Sequence, residues 1–178
     1  VCANTDASDT KLVRFLGANM GVCIQSARVF AGNVEIDRVD HYGATEGMLS
    51  LLQAPAKRVQ EYSEGFGCAE YAVGNSAITA ATIKGGAKKT VVWRPKALGC
   101  LQTQSYLPTS FVSGGGVTLE LTFVGTRAEV CENGGNHVHT WQWSQLSLLC
   151  DVVQLDPAFL TSLGAHLANG GSISMNYK

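Results

Sequence analysis

The chain has 178 residues, of which 46% are hydrophobic and 15% charged, and its formal net charge is −1. That apolar fraction can build a core and excludes a disordered chain, which combines high charge with few apolar residues. The 13 Lys and Arg are scattered rather than gathered in a basic stripe, which excludes strong nucleic-acid binding by phosphate neutralisation.

The length predicts one domain, residues 1–178. No apolar run reaches the ~18 residues of a spanning helix, so no membrane insertion is expected. The charged fraction lies well below the ~25% of an average soluble domain, which implies that much of the surface faces something other than bulk water. An opening at Val1, without an initiator methionine or a signal-peptide pattern, predicts a processed product or part of a longer chain.

In chain order, residues Gly21 to Phe30 predict a strand, and Val34 and Ile36 alternate with Asn33, Glu35 and Asp37 in a second. Tyr42, Thr45, Met48, Leu49 and Leu52 fall at helical spacing, and Pro55 follows where a helix would stop. Thr90 to Trp93 predicts a short buried strand. The clearest strand is Val117 to Phe123, where odd positions are apolar and even ones polar. Gln145 to Leu155 is apolar on both faces and predicts a well-covered strand. Asp156 can cap a helix and Pro157 suits its first turn; Phe159, Leu160, Leu163 and Leu167 form its stripe and Gly170 its C-terminal cap. Ser172 to Tyr177 alternates again and is expected to close the chain. Gly85-Gly86, Gly114 to Gly116, Gly134-Gly135 and Gly170-Gly171 punctuate the connections. The sum is an all-β sandwich or barrel of about seven strands with two short helices in its connections.

Six cysteines, at 2, 23, 68, 100, 131 and 150, include no Cys-x-x-Cys pair. A zinc ribbon or thioredoxin-like centre is therefore not expected. Cys23 and Cys150 lie in apolar runs, where free cysteine packs as a small core residue. The expectation is six reduced thiols in a reducing compartment.

Few residues carry chemistry. His137 and His139 alternate on one face and could meet a metal as in a cupin, but such a site needs a third histidine and a carboxylate, and His41 and His166 fall in the helical segments. Trp141 and Trp143 also share a face; they could stack on a sugar, although rings of that size mostly bury their area in packing. Asp37, Asp40 and His41 lie close together, as do Glu61 and Glu64, in positions that suit caps better than acid–base pairs. Lys88-Lys89 is too short for a nucleic-acid patch. No nucleophile elbow, phosphate loop or His-Glu-x-x-His motif is present. The chain is expected to be no enzyme, with no catalytic, cofactor-binding or metal residues and no cofactor.

Four blocks in order resemble one jelly roll of the double jelly-roll major capsid proteins of large eukaryotic DNA viruses, polinton-like viruses and virophages. The first is Gly21 to Phe30 followed by Gly32 to Asp37, similar to the family's strand running into a short hairpin. The second is Asp40-His41-Tyr42 running to Met48 through Leu52, similar to the helix after it. The third is Leu98-Gly99, Tyr106-Leu107-Pro108, Phe111 and the strand Val117 to Val124. The fourth is Leu146 to Leu155, Asp156-Pro157, the helix ending at Leu167, and Gly171-Ser172-Ile173. The resemblance covers roughly 20–178 and leaves 1–19 as an N-terminal lead-in. It departs from the family in having room for one jelly roll rather than two, and in lacking the usual first strand before residue 20. Both departures fit a fragment of a longer capsid chain, or a single jelly-roll relative such as a minor or vertex capsid protein.

The resemblance implies a jelly-roll β-sandwich and a viral structural role in an icosahedral shell. It implies self-association into trimers and contacts with neighbouring capsid subunits, with minor capsid proteins as further partners. It implies assembly in the host cytoplasm or nucleus and residence in the virion. The residues alone leave an alternative: a soluble jelly-roll binding protein, lectin-like through Trp141 and Trp143 or a cupin-type metal binder through His137 and His139.

Overall fold

The computed structural model describes residues 1–15, 20–54, 82–102, 106–112, 116–125, 129–131 and 140–174. Among the described residues the elements are strands in antiparallel sheets and two short helices. In chain order they are β1 (Cys2–Asn4), β2 (Leu12–Arg14), β3 (Ile24–Ala31), β4 (Val34–Asp40), α1 (Tyr42–Leu51), β5 (Thr82–Lys84), β6 (Lys88–Lys89), β7 (Val117–Phe123), β8 (Trp141–Trp143) and α2 (Pro157–Ala168). Short 3-10 turns cover Met20–Cys23, Gly99–Leu101 and Thr109–Phe111.

Among the described residues three sheets form, ordered β6-β1-β8, β2-β5 and β4-β3-β7. The last is the most regular. β3 and β4 join through Gly32 and Asn33, and Gly32 takes a φ of 59° that a side chain would disfavour. β3 carries a bulge between Ile24 and Ser26 against β7. The extra residue shifts the side-chain phase by one, so Ile24 faces the core together with Ala27 and Val29. β7 shows the alternation expected of it, with odd residues half-buried and even ones exposed.

The strands β1 and β2 lie within the lead-in, where sequence periodicity is too short to mark them. Buried Asn4 explains how such short strands hold. Its Nδ2 donates to the carbonyls of Lys11 (3.2 Å) and Ile83 (2.9 Å), and its Oδ1 accepts from Asp6 N (3.0 Å). One side chain thus fastens the β1 sheet to the β2-β5 pair.

Two cores result. One gathers Val13, Phe15, Met20, Ile83 and Trp141 with Cys2, Cys23 and Cys131. The other gathers Ile24, Ala27, Val29, Tyr42, Leu98 and Cys100. Trp93 and Phe123 pack against both and join them.

Three expected strands differ. Thr90 to Trp93 enters no ladder; Val91 and Trp93 pack against the core while Val92 is exposed. Gln145 to Leu155 is neither a strand nor covered, and every residue in it is exposed. The chain leaves β8 at Ser144, whose N–H donates to Val1 O (2.9 Å), and Gln145 then takes a φ of 53° that turns it off the sheet. Two-sided apolarity states a need for cover but supplies no neighbour. In the expected closing strand, residues Ser172 to Ser174 are exposed and enter no ladder, and 175–178 lie outside the described residues.

Both helices form where expected. At α2, Asp156 accepts from Ala158 N at 2.7 Å, Pro157 opens the first turn, and Gly170 takes a φ of 83° after the end. The buried face of α1 differs from its apolar stripe: it is Tyr42, Glu46 and Ser50, at i, i+4 and i+8, while Met48, Leu49 and Leu52 are exposed.

Candidate interaction surface

The acidic and basic residues singled out in the sequence serve the fold separately. Asp37 accepts the Cys100 N–H at 3.0 Å and ties β4 to the 3-10 turn at Gly99–Leu101. Asp40 pairs with Arg38 at the surface, 3.0 Å away. The hydrogen bond and charge of Asp40 raise the Arg38 guanidinium above its ordinary range. His41 precedes α1 in the left-handed conformation, with no side-chain capping bond. These three groups do not converge on a reaction centre. Lys88 and Lys89 form β6 against β1, where burial lowers the Lys89 ammonium. His166 lies in the last turn of α2 with its ring over Gly171. His137, His139, Glu61, Glu64 and Cys68 lie outside the described residues.

Trp141 and Trp143 are used in packing. Trp141 meets Phe15 edge-on at 5.2 Å, and Trp143 stacks on Phe15 at 6.2 Å. Trp141 is buried and presents no open ring face to solvent. Among the described residues, no group of three or more His, Cys, Asp and Glu could hold a metal ion. No helix among them is long and apolar enough to cross a membrane.

A buried polar cluster escaped the sequence reading. Glu46, 1% exposed, accepts from Trp93 Nε1, which lies 3.0 Å from each of its carboxylate oxygens. Tyr42 packs edge-on against Trp93 at 5.6 Å. Burial and the adjacent Glu46 charge push the Tyr42 phenol far above its ordinary range. One turn on, Lys96 Nζ reaches Ser50 Oγ (3.4 Å) and Gln53 Oε1 (3.3 Å). The stretch from Trp93 to Lys96 is therefore laid along the polar face of α1. On its other side α1 approaches the Met20–Cys23 turn closely: a Cβ on Gly43 would stand 3.1 Å from the backbone of Gly21 and Val22. The i, i+4, i+8 spacing of Tyr42, Glu46 and Ser50 was a visible signal, but a polar stripe ordinarily marks the solvent side.

What this docking leaves outside is apolar. Met48 of α1 and Leu52 just past its end are 68% and 83% exposed. The larger surface is the arm 145–155, where Leu149 is 84% and Val152 89% exposed, continuing into Phe159 of α2. No residue of α2 is buried. Its half-covered stripe of Leu160, Leu163, Gly164 and Leu167 passes near the ring of Phe111 at Gly164. The arm makes no hydrogen bond with any described residue. From residue 144 to 174 the chain carries Asp151 and Asp156 and no Lys or Arg. That composition suits burial against protein more than contact with an acidic polymer or an anionic lipid surface. No protein-family model, curated protein or solved structure matches the chain.

Proposed function

We propose that this chain is a viral structural protein: a jelly-roll domain of a major capsid protein that assembles into trimeric capsomers of an icosahedral shell. On this reading the antiparallel sheets are parts of one jelly-roll sandwich, and the protein resides in the virion after assembly in the host cytoplasm or nucleus. It has no catalytic role. Its work is geometric: paired strands make a stiff wall, and loops and helices meet neighbouring subunits.

The observation that carries the reading is the uncovered apolar surface running from Leu146 through Val152 to Phe159. Contiguous apolar patches of this kind are rare on monomers and mark interaction sites. The four-block resemblance supplies the kind of assembly. A heterologous contact repeated by rotation closes into a ring, and three copies make the trimer the resemblance implies.

The test is the native mass of the protein by light scattering, together with electron microscopy of its native source. Trimers in solution and the domain repeated in the capsomers of a particle are the expected result. A monodisperse monomer carrying a stoichiometric metal or sugar would overturn it.

A further inference from the structure

The arm 145–155 has the form of a strand without a sheet. Its even positions Leu146, Leu148, Cys150 and Val152 form an apolar face that ends at Gln154. Its backbone groups have no partner among the described residues. β7 pairs with β3 on one side only, and no described strand lies on the other. The core-facing side chains of β7, Leu119, Leu121 and Phe123, are only half-covered. An added strand with one apolar face would pair with β7 and cover them in the same step.

The other free edges fit less well. β6 and β8 have two and three residues, and β2 and β5 three each. β4 is long enough, but it carries Glu35, Asp37, Arg38 and Asp40, the charged pattern that discourages strand addition. β7 has seven residues and carries Thr118, Glu120 and Thr122 on its exposed face.

We infer that the arm 145–155 of one copy adds as a strand to the free edge of β7 in a neighbouring copy. The inference rests on the self-association proposed above and names the contact that makes it. Within one chain the arm departs from β8, at the edge of a different sheet, and Gln145 turns it into solvent. Leu146, Leu148 and Val152, on one face of the arm, are all more than half exposed and are the side chains that a partner sheet would cover. Donor and acceptor are different surfaces, so the contact is heterologous and closes into a ring when each copy donates to the next.

Two experiments on the 178-residue chain test this. The first replaces Leu148 and Val152 with Asp, both exposed in the single chain. The expected result is conversion of the oligomer to monomer with an unchanged circular dichroism spectrum. An oligomer that persists would overturn the strand addition and leave the capsid reading standing. A wild-type chain that is already monomeric would overturn both. The second places a cysteine on β7, Leu119→Cys or Leu121→Cys in separate variants, under mild oxidation. One of them should give covalent dimers and higher rings on a denaturing gel, lost when Cys150→Ser is added. A Cys150-dependent cross-link within single chains would show the arm on its own β7 and overturn the inference, as would no Cys150-dependent cross-link in either variant.

Discussion

The indole of Trp93 donates to both carboxylate oxygens of buried Glu46, each 3.0 Å from Nε1, and this bond holds the 93–96 stretch against α1. The carboxylate occupies the space that a side chain at position 21 would need: a Cβ on Gly21 would stand 2.5 Å from Glu46 Cδ. A buried carboxylate is costly unless its partners are in place, so this unit is sensitive to the loss of any member.

Glu46→Ala should therefore destabilise the fold by about 2–3 kcal/mol, because it leaves the half-buried Trp93 N–H without its acceptor. Glu46→Gln keeps an acceptor oxygen and should cost less. Gly21→Ala should cost about 1–3 kcal/mol by displacing the held carboxylate. Urea denaturation midpoints of the three variants give the order. A Glu46→Ala protein as stable as the wild type would show that the cluster does not hold α1.

The register of β7 makes a second prediction. Leu119 stands opposite Val29 of β3 and faces the core, whereas Thr118 and Glu120 face out. Leu119→Asp should cost about 2 kcal/mol or more by placing a charge among apolar neighbours. Thr118→Asp should stay within about 0.5 kcal/mol in the unassembled chain. Equal effects in thermal unfolding would mean that the strand is shifted by one residue.

β7 was legible in the sequence because its period of two is unbroken over seven residues, a pattern with a single structural reading. The ends of α2 were legible for a similar reason: Asp156, Pro157 and Gly170 are local signals that act within one turn of the backbone they satisfy. The face of α1 was not, because its orientation is set by Trp93 and Lys96, which lie 47 and 46 residues beyond the Glu46 and Ser50 side chains they meet. The arm 145–155 differs again. Its composition gave the need for burial, and no local signal says which surface meets that need. The candidate chemistry thinned for a related reason. Neighbours in sequence such as Asp37, Asp40 and His41 are carried by β4 and the start of α1 toward separate partners, and only three-dimensional placement could separate them.

The thiols give a prediction in pH. Burial pushes Cys2 and Cys100 up to about 12 and raises Cys23 far above its ordinary range. The folded chain then holds these protons at pH values where the unfolded chain has lost them. Their contribution to stability is complete below the ordinary thiol range near 9 and is lost progressively as pH rises from about 9 to 12. In the unassembled chain, alkylation at neutral pH should modify exposed Cys150 first and spare Cys2, Cys23, Cys100 and Cys131 until the protein is denatured. Mass spectrometry of the labelled peptides reads this directly. Rapid native labelling of Cys100 would mean that its site opens to solvent.

The cap of α2 separates the single chain from the assembly. Asp156 accepts the Ala158 N–H at 2.7 Å, and its removal in Asp156→Ala should cost about 1 kcal/mol of local helix stability. No residue of α2 is buried, so little of that loss can reach the rest of the fold. The melting temperature of the unassembled chain should stay nearly constant. Amide exchange in Phe159 to Leu167 should rise about fivefold, the factor that ~1 kcal/mol corresponds to in a local opening equilibrium. Assembly reverses the expectation. If neighbouring copies cover the arm and α2, exchange in this helix slows on association, and Asp156→Ala then weakens the oligomer as well as the helix. Exchange rates in α2 that are identical in free and assembled protein would show that this surface stays open to solvent, and the contact between copies would have to lie elsewhere.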